Sequence, residues 1–137
     1  MLILNIPTPK IQSKIKTMIK NLILVGIGGA LGSILRFLCY QLIKMNENFL
    51  ITLGINIVGS LIIGMVIGYG IKDIEFGNNW KVFLATGICG GFTTFSAFSI
   101  ENIQLIQQGK WLWAIVYIFG SIILGLLAAF IGLKITT

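Results

Sequence analysis

The sequence predicts an all-α membrane protein of four transmembrane helices, the third broken near its middle. Three observations carry that expectation. The 137 residues are 56% hydrophobic and only 10% charged, with a mean hydropathy of +0.97, more apolar surface than a soluble chain of this size can hide. The apolar residues gather into four runs, each near or above the roughly 20 residues that a spanning helix needs. The third run is interrupted by Gly90-Gly91-Phe92-Thr93-Thr94, residues that unwind a helix and rebond its loose ends. Irregular backbone at membrane depth persists only where protein or a polar cavity satisfies it, so this break predicts either a kink packed by neighbours or an ion site.

In chain order, residues 1–17 read as an N-terminal extension and residues 18–137 as one four-helix unit. The extension is short and proline-bearing, followed by Lys10, Lys14 and Lys16, and is expected either to lie on the membrane surface or to be disordered. Met18 is the expected start of the compact unit. Lysines before an apolar run also mimic a signal peptide, but this run continues to Ile43, too long for a signal's core. The spans are expected at about 19–43, 49–71, 80–108 and 111–134, with short connections. Trp80, Trp111 and Trp113 stand near the expected interfaces, where indole rings prefer to sit.

In the first span Gly28, Gly32 and Arg36 recur every fourth residue, so they share a face with Gly29 and Ser33 beside them. Small residues at that spacing let a second backbone approach closely. Arg36 has two readings, a snorkelling side chain near the surface or a positive potential at the mouth of an anion path. The second span carries Asn56, Ser60, Gly64 and Gly68 as an i, i+4 ladder, and the fourth carries Tyr117, Ser121 and Gly125. Asn56 serves either interhelical bonding or the replacement of water around a passing ion.

There is no histidine, and the four acids are Glu47, Asp73, Glu75 and Glu101, which leaves little for a protease triad or a metal cluster. Cys39 and Cys89 lie in apolar runs and read as buried hydrophobes. No nucleophile and base are visible, so an enzyme is not expected.

The motifs identify a family. The sequence resembles the Fluc (CrcB) family of small fluoride channels from Met18 to Lys134. The resemblance rests on Gly28-Gly29-Ala30-Leu31-Gly32-Ser33-Ile34-Leu35-Arg36-Phe37, on Thr52-Leu53-Gly54-Ile55-Asn56-Ile57-Val58-Gly59, and most specifically on Gly90-Gly91-Phe92-Thr93-Thr94-Phe95-Ser96-Ala97-Phe98-Ser99-Ile100-Glu101. Phe37 stands where tyrosine is common, Ala97 where a hydroxyl residue is common, and the long N-terminus is unusual. The resemblance implies an antiparallel, dual-topology homodimer with two narrow fluoride pores in the cell membrane. It also implies a structural Na+ held at the dimer centre by the backbone carbonyls of Gly90 and Thr93 from both subunits. Phe95 and Phe98 would line the pores, with Asn56, Thr94, Ser96, Tyr117 and Ser121 along the polar path and Arg36 in the vestibule. The family's role, passive fluoride exit that relieves cytoplasmic toxicity, would follow.

The chemistry agrees from below. Fluoride is strongly hydrated, so a selective path must replace its water with donors, and amide and hydroxyl groups do so without a fixed charge that traps the ion. Aromatic rings carry a positive edge, so Phe95 and Phe98, at i and i+3, can present that edge to an anion or can simply pack. Two rival classes remain, a small multidrug-type exporter and a non-conducting membrane assembly protein. An exporter needs a mid-span carboxylate, and Glu101 lies towards the end of its span; the glycine ladders alone would suffice for an assembly protein.

Charge bears on orientation. From Met18, Lys20, Lys72, Lys81 and Lys134 stand on one side against Arg36, Lys44 and Lys110 on the other, close to neutral and suited to insertion both ways. Adding Lys10, Lys14 and Lys16 biases the N-terminus inward, and the chain would then need an oppositely oriented paralogue as its partner. No nucleic-acid partner is expected.

Overall fold

The computed structural model of the chain describes residues 8–45, 47–72 and 77–137. Every regular element among them is helical. They are α1 (Thr8–Leu42), α2 (Asn48–Lys72), α3 (Gly77–Trp80), a π-helical segment (Lys81–Cys89), α4 (Gly90–Phe92), α5 (Phe95–Gln107) and α6 (Trp111–Thr136). Four stretches are long and apolar enough to cross a bilayer: Pro9–Leu42, Asn48–Ile71, Lys81–Gln107 and Trp111–Thr136. The last three agree closely with the expected spans. The first differs, because the helix begins at Thr8 rather than near residue 19. Pro9 falls in the first turn, where a missing N–H forfeits no helical hydrogen bond. No proline interrupts the winding from Lys10 to Leu42, so residues 9–17 continue α1 as exposed helix. Residues 1–7 of the expected extension and residues 73–76 of the second connection lie outside the described residues.

Glycine decides how the helices cross. α2 lies along α6, and α1 lies along the π-helical segment and α4. A Cβ on Gly64 would run into the carbonyl oxygen of Ala129, and one on Gly132 into that of Leu61, so each helix of the α2–α6 pair leaves room for the other's main chain. On α1, a Cβ at Gly28 would stand 2.6 Å from the Phe83 carbonyl oxygen and 2.9 Å from the Gly87 Cα. Lipid tails are as apolar as leucine, so close backbone packing of this kind supplies the association energy that water would otherwise provide.

The apolar cluster of buried residues sits where α2, α5 and α6 meet. Phe49, Leu105, Ala114 and Tyr117 form it, with Leu53, Phe98 and Ile106 packed against it. A tight turn joins α5 to α6. Gly109 takes φ +72°, and the N–H groups of Gly109 and Lys110 bond back to the Ile106 and Leu105 carbonyls at 3.0 and 2.9 Å, a Schellman cap. Lys110 then reaches Glu47 at 3.1 Å, tying this turn to the α1–α2 connection. Both side chains are over two-fifths exposed, so the pair contributes at most about 1 kcal/mol.

Candidate functional site

Helical winding stops at Phe92 and resumes at Phe95. Between them Thr93 (φ −72°, ψ 157°) and Thr94 (φ −150°, ψ 119°) are extended. Extended backbone releases main-chain groups that must find other partners, and the amide and carbonyl groups of Thr93 and Thr94 each find one. Asn56 of α2 makes a reciprocal pair with Thr94: its Nδ2 donates to the Thr94 carbonyl at 3.2 Å, and its Oδ1 accepts from the Thr94 N–H at 2.9 Å. Arg36 of α1 donates from its guanidinium to the Thr93 carbonyl at 3.3 Å. The Thr93 hydroxyl donates to the Cys89 carbonyl at 2.8 Å, which also accepts the Thr93 N–H at 2.9 Å. Thr94 caps α5, its hydroxyl accepting from the Ala97 N–H at 3.2 Å and lying 3.2 Å from the Ser96 hydroxyl.

Arg36 therefore neither points past the helix end nor stands apart from the break. Its positive charge is anchored at the break itself, half-buried, on a carbonyl of the same residue whose oxygen was expected to hold a cation. Gly90 is exposed, and a Cβ there would meet nothing closer than the Ala85 carbonyl at 3.9 Å.

A second polar group lies one turn away from Asn56 on α2. Thr52 is fully buried and donates to Glu101 Oε1 at 2.6 Å. Tyr117 donates to Glu101 Oε2 at 2.8 Å, and the Tyr40 hydroxyl lies 2.6 Å from the Thr52 hydroxyl. Thr52 has a single hydroxyl hydrogen, which goes to the carboxylate, so Tyr40 donates to Thr52. Both carboxylate oxygens are thus held by hydroxyls inside the span. Tyr40, Thr52 and Glu101 were not among the residues expected from sequence. The signal was present all the same: an ionisable residue within a span is a candidate site residue, and Thr52 stands four residues before Asn56 on the same helix face.

The aromatic residues connect the two groups. Phe95 and Phe98 have ring centroids 5.5 Å apart, and Phe98 meets Tyr117 edge-on at 5.0 Å. Phe95 is 79% exposed, so beyond Phe98 the described residues leave most of this ring uncovered. Ser121 on α6 has a buried hydroxyl oxygen with no partner among the described residues, as does the Oδ1 of Asn102. A cavity of about 170 Å³ opens beside Glu101, lined also by Glu47, Asn48, Phe49, Gln104, Leu105 and Gln108. Break, aromatic pair, hydroxyl-held carboxylate and cavity follow one another along α5. Of the expected residues, Asn56, Thr94 and Ser96 come together at the break, and Phe95, Phe98 and Tyr117 form a continuous aromatic row.

Fold and site together define a small multi-pass membrane protein with a polar, hydroxyl-rich track between apolar helices. The family model described as CrcB-like protein, Camphor Resistance (CrcB), matches residues 23–133, and the chain belongs to this family. It is 42% identical over 122 residues to a "Fluoride-specific ion channel FluC" of Azobacteroides pseudotrichonymphae, covering 87% of this chain and 98% of that protein. It is 45% identical over 119 residues to the protein of the same name from Flavobacterium psychrophilum, covering 85% and 96%. The protein of that name from Oceanobacillus iheyensis is 36% identical over 117 residues, covering 85% and 91%.

Proposed function

We propose that this chain is a fluoride-selective ion channel that lets fluoride leave the cell passively and so relieves cytoplasmic fluoride toxicity. The observation that carries the reading is the near end-to-end match to proteins named for fluoride-specific conduction. The site chemistry supports it. Hydroxyl and amide groups of Asn56, Thr94, Ser96 and Ser121 offer an anion neutral donors, Tyr117 spends its one hydroxyl hydrogen on Glu101 and lines the path with its ring, and the Phe95 and Phe98 rings can offer their positive edges.

The working unit in this reading is an antiparallel homodimer in the cell membrane. An aromatic ring as exposed as Phe95, beside a run of hydroxyls, suits a surface that a second copy covers. A Na+ at the dimer centre would be held by the Gly90 and Thr93 carbonyls of both copies. Neutral oxygen donors suit a hard cation, and Thr93, extended, presents its carbonyl outside the helical ladder. Arg36 already bonds that carbonyl, so the ion would use its second lone pair. When bound, the ion would join the two breaks and place positive charge at their centre.

Two experiments test this. Phe95→Ile and Phe98→Ile keep apolar bulk and remove the ring edge. In liposomes read by a fluoride electrode, each should assemble normally and lose at least about tenfold in flux, equivalent to roughly 1.4 kcal/mol at the barrier. Normal flux in both would return the rings to packing, and no flux from the unaltered protein would leave only the assembly role. For the cation, Gly90→Val has space within one chain, so a variant that folds but fails to dimerise reports a neighbour outside it. Thr93→Ser keeps the carbonyl and the hydroxyl and should dimerise normally. Equal tolerance of the two changes would remove Gly90 from the two-fold centre.

A further inference from the structure

α1 is longer than a span requires. Its 35 residues extend about 52 Å at 1.5 Å per residue, against a hydrocarbon layer of about 30 Å. Leu22–Leu42 alone accounts for that layer, so residues 8–21 pass through and beyond the headgroups as helix. This part is two-faced. At 100° per residue, Ile11, Ile15, Met18 and Ile19 fall within one arc of about 100°, and they are 41%, 46%, 55% and 50% exposed. Lys10, Lys14, Lys16 and Lys20, all exposed, occupy the remainder with Ser13 and Thr17.

The charge singles out the partner. No acid precedes Glu47 in the sequence, so nothing on this helix neutralises its lysines. Successive spans alternate direction, which places Lys72, Lys81 and Lys134 on the same membrane side. Seven of the ten Lys and Arg residues therefore stand there, against Lys44 and Lys110 on the other side, with Arg36 held at the break. A basic helix with an apolar stripe at headgroup depth fits a negatively charged lipid surface better than a protein groove. Lys20 and Lys16 stand within about one Debye length of the hydrocarbon boundary, and tilt of an overlong helix brings Lys14 and Lys10 closer. Their stems can lie on the apolar boundary while the ammonium groups reach phosphate oxygens.

We infer that residues 10–20 of α1 are a docking surface for anionic phospholipid headgroups, which hold the N-terminal end of each copy against a negatively charged leaflet. The surface acts on each copy at the leaflet its own N-terminus reaches, and it does not depend on fluoride conduction.

Hydrogen exchange on the full chain tests it, in nanodiscs of phosphatidylcholine with and without phosphatidylglycerol. Amides of residues 10–20 should gain at least about tenfold in protection when phosphatidylglycerol is present, as expected for several lysines near an anionic surface. High salt should reverse the gain, and so should combining Lys10→Gln, Lys14→Gln, Lys16→Gln and Lys20→Gln. Protection of residues 22–42 should stay constant, which shows that the variant remains folded. Equal protection in both lipids would overturn the inference, as would a gain that survives salt or the four substitutions. A gain that follows protein concentration rather than lipid charge would assign the face to a second copy and overturn it too.

Discussion

An Asn56→Leu protein is expected to lose most of its folded population and all of its fluoride flux. Leucine has similar bulk, so the loss would come from two Thr94 groups, the N–H and the carbonyl, that only Asn56 is seen to pair across the break. Leaving a buried donor or acceptor without a partner costs roughly 1–3 kcal/mol, so the two together cost roughly 2–6 kcal/mol. That approaches the whole stability of many small domains. Unfolding in detergent, followed by the fluorescence of Trp80, Trp111 and Trp113, measures it. Asn56→Asp should fall between, because it keeps an acceptor for the N–H but sets an oxygen against the carbonyl. An Asn56→Leu protein that unfolds within about 0.5 kcal/mol of the parent, the range of an ordinary surface change, would show that the break is held by something else.

Gly64→Val and Gly132→Val are expected to separate α2 from α6 and to yield no monodisperse protein on gel filtration. Overpacked cores lose about 1–3 kcal/mol where side chains can give way. Here the obstructing atoms are the main-chain carbonyls of Ala129 and Leu61, which cannot move without unwinding a helix. Gly26→Ala is the control, since a Cβ there meets nothing within 4 Å. It should elute as the parent does. Parent-like elution of both valine variants would mean that this crossing does not hold the fold together.

Hydropathy and small-residue spacing made three of the four spans legible almost to their ends. Within the third span only Thr93 and Thr94 are extended, and Gly90-Gly91 stay helical. The ladder through Gly64 and Gly68 is visible in the sequence as a row of small residues, and the α6 carbonyls of Ala129 and Leu133 lie against it. Three features escaped. α1 is already helical over residues 8–18 because lysine is a good helix former, and polarity marks where a span ends, not where a helix does. The π-helical winding of Lys81–Cys89 has no compositional mark, since the residues there also suit an α-helix. The bonds of Arg36 to Thr93 and of Thr52 and Tyr117 to Glu101 join residues 57, 49 and 16 positions apart, and periodicity within one helix carries no information about such pairs.

Those separations have a direction. Arg36 and Asn56 precede the residues they hold by 57 and 38 positions. At the ~5–20 residues per second of synthesis, Asn56 leaves the ribosome about 2–8 s before Thr94. The donors and acceptor that the break needs are already made, and can be in the bilayer, when the break itself arrives. Its loose amides and carbonyls never have to wait in lipid. A circularly permuted chain that began with the third span would reverse this order, and would deliver the break to the membrane before anything could receive it.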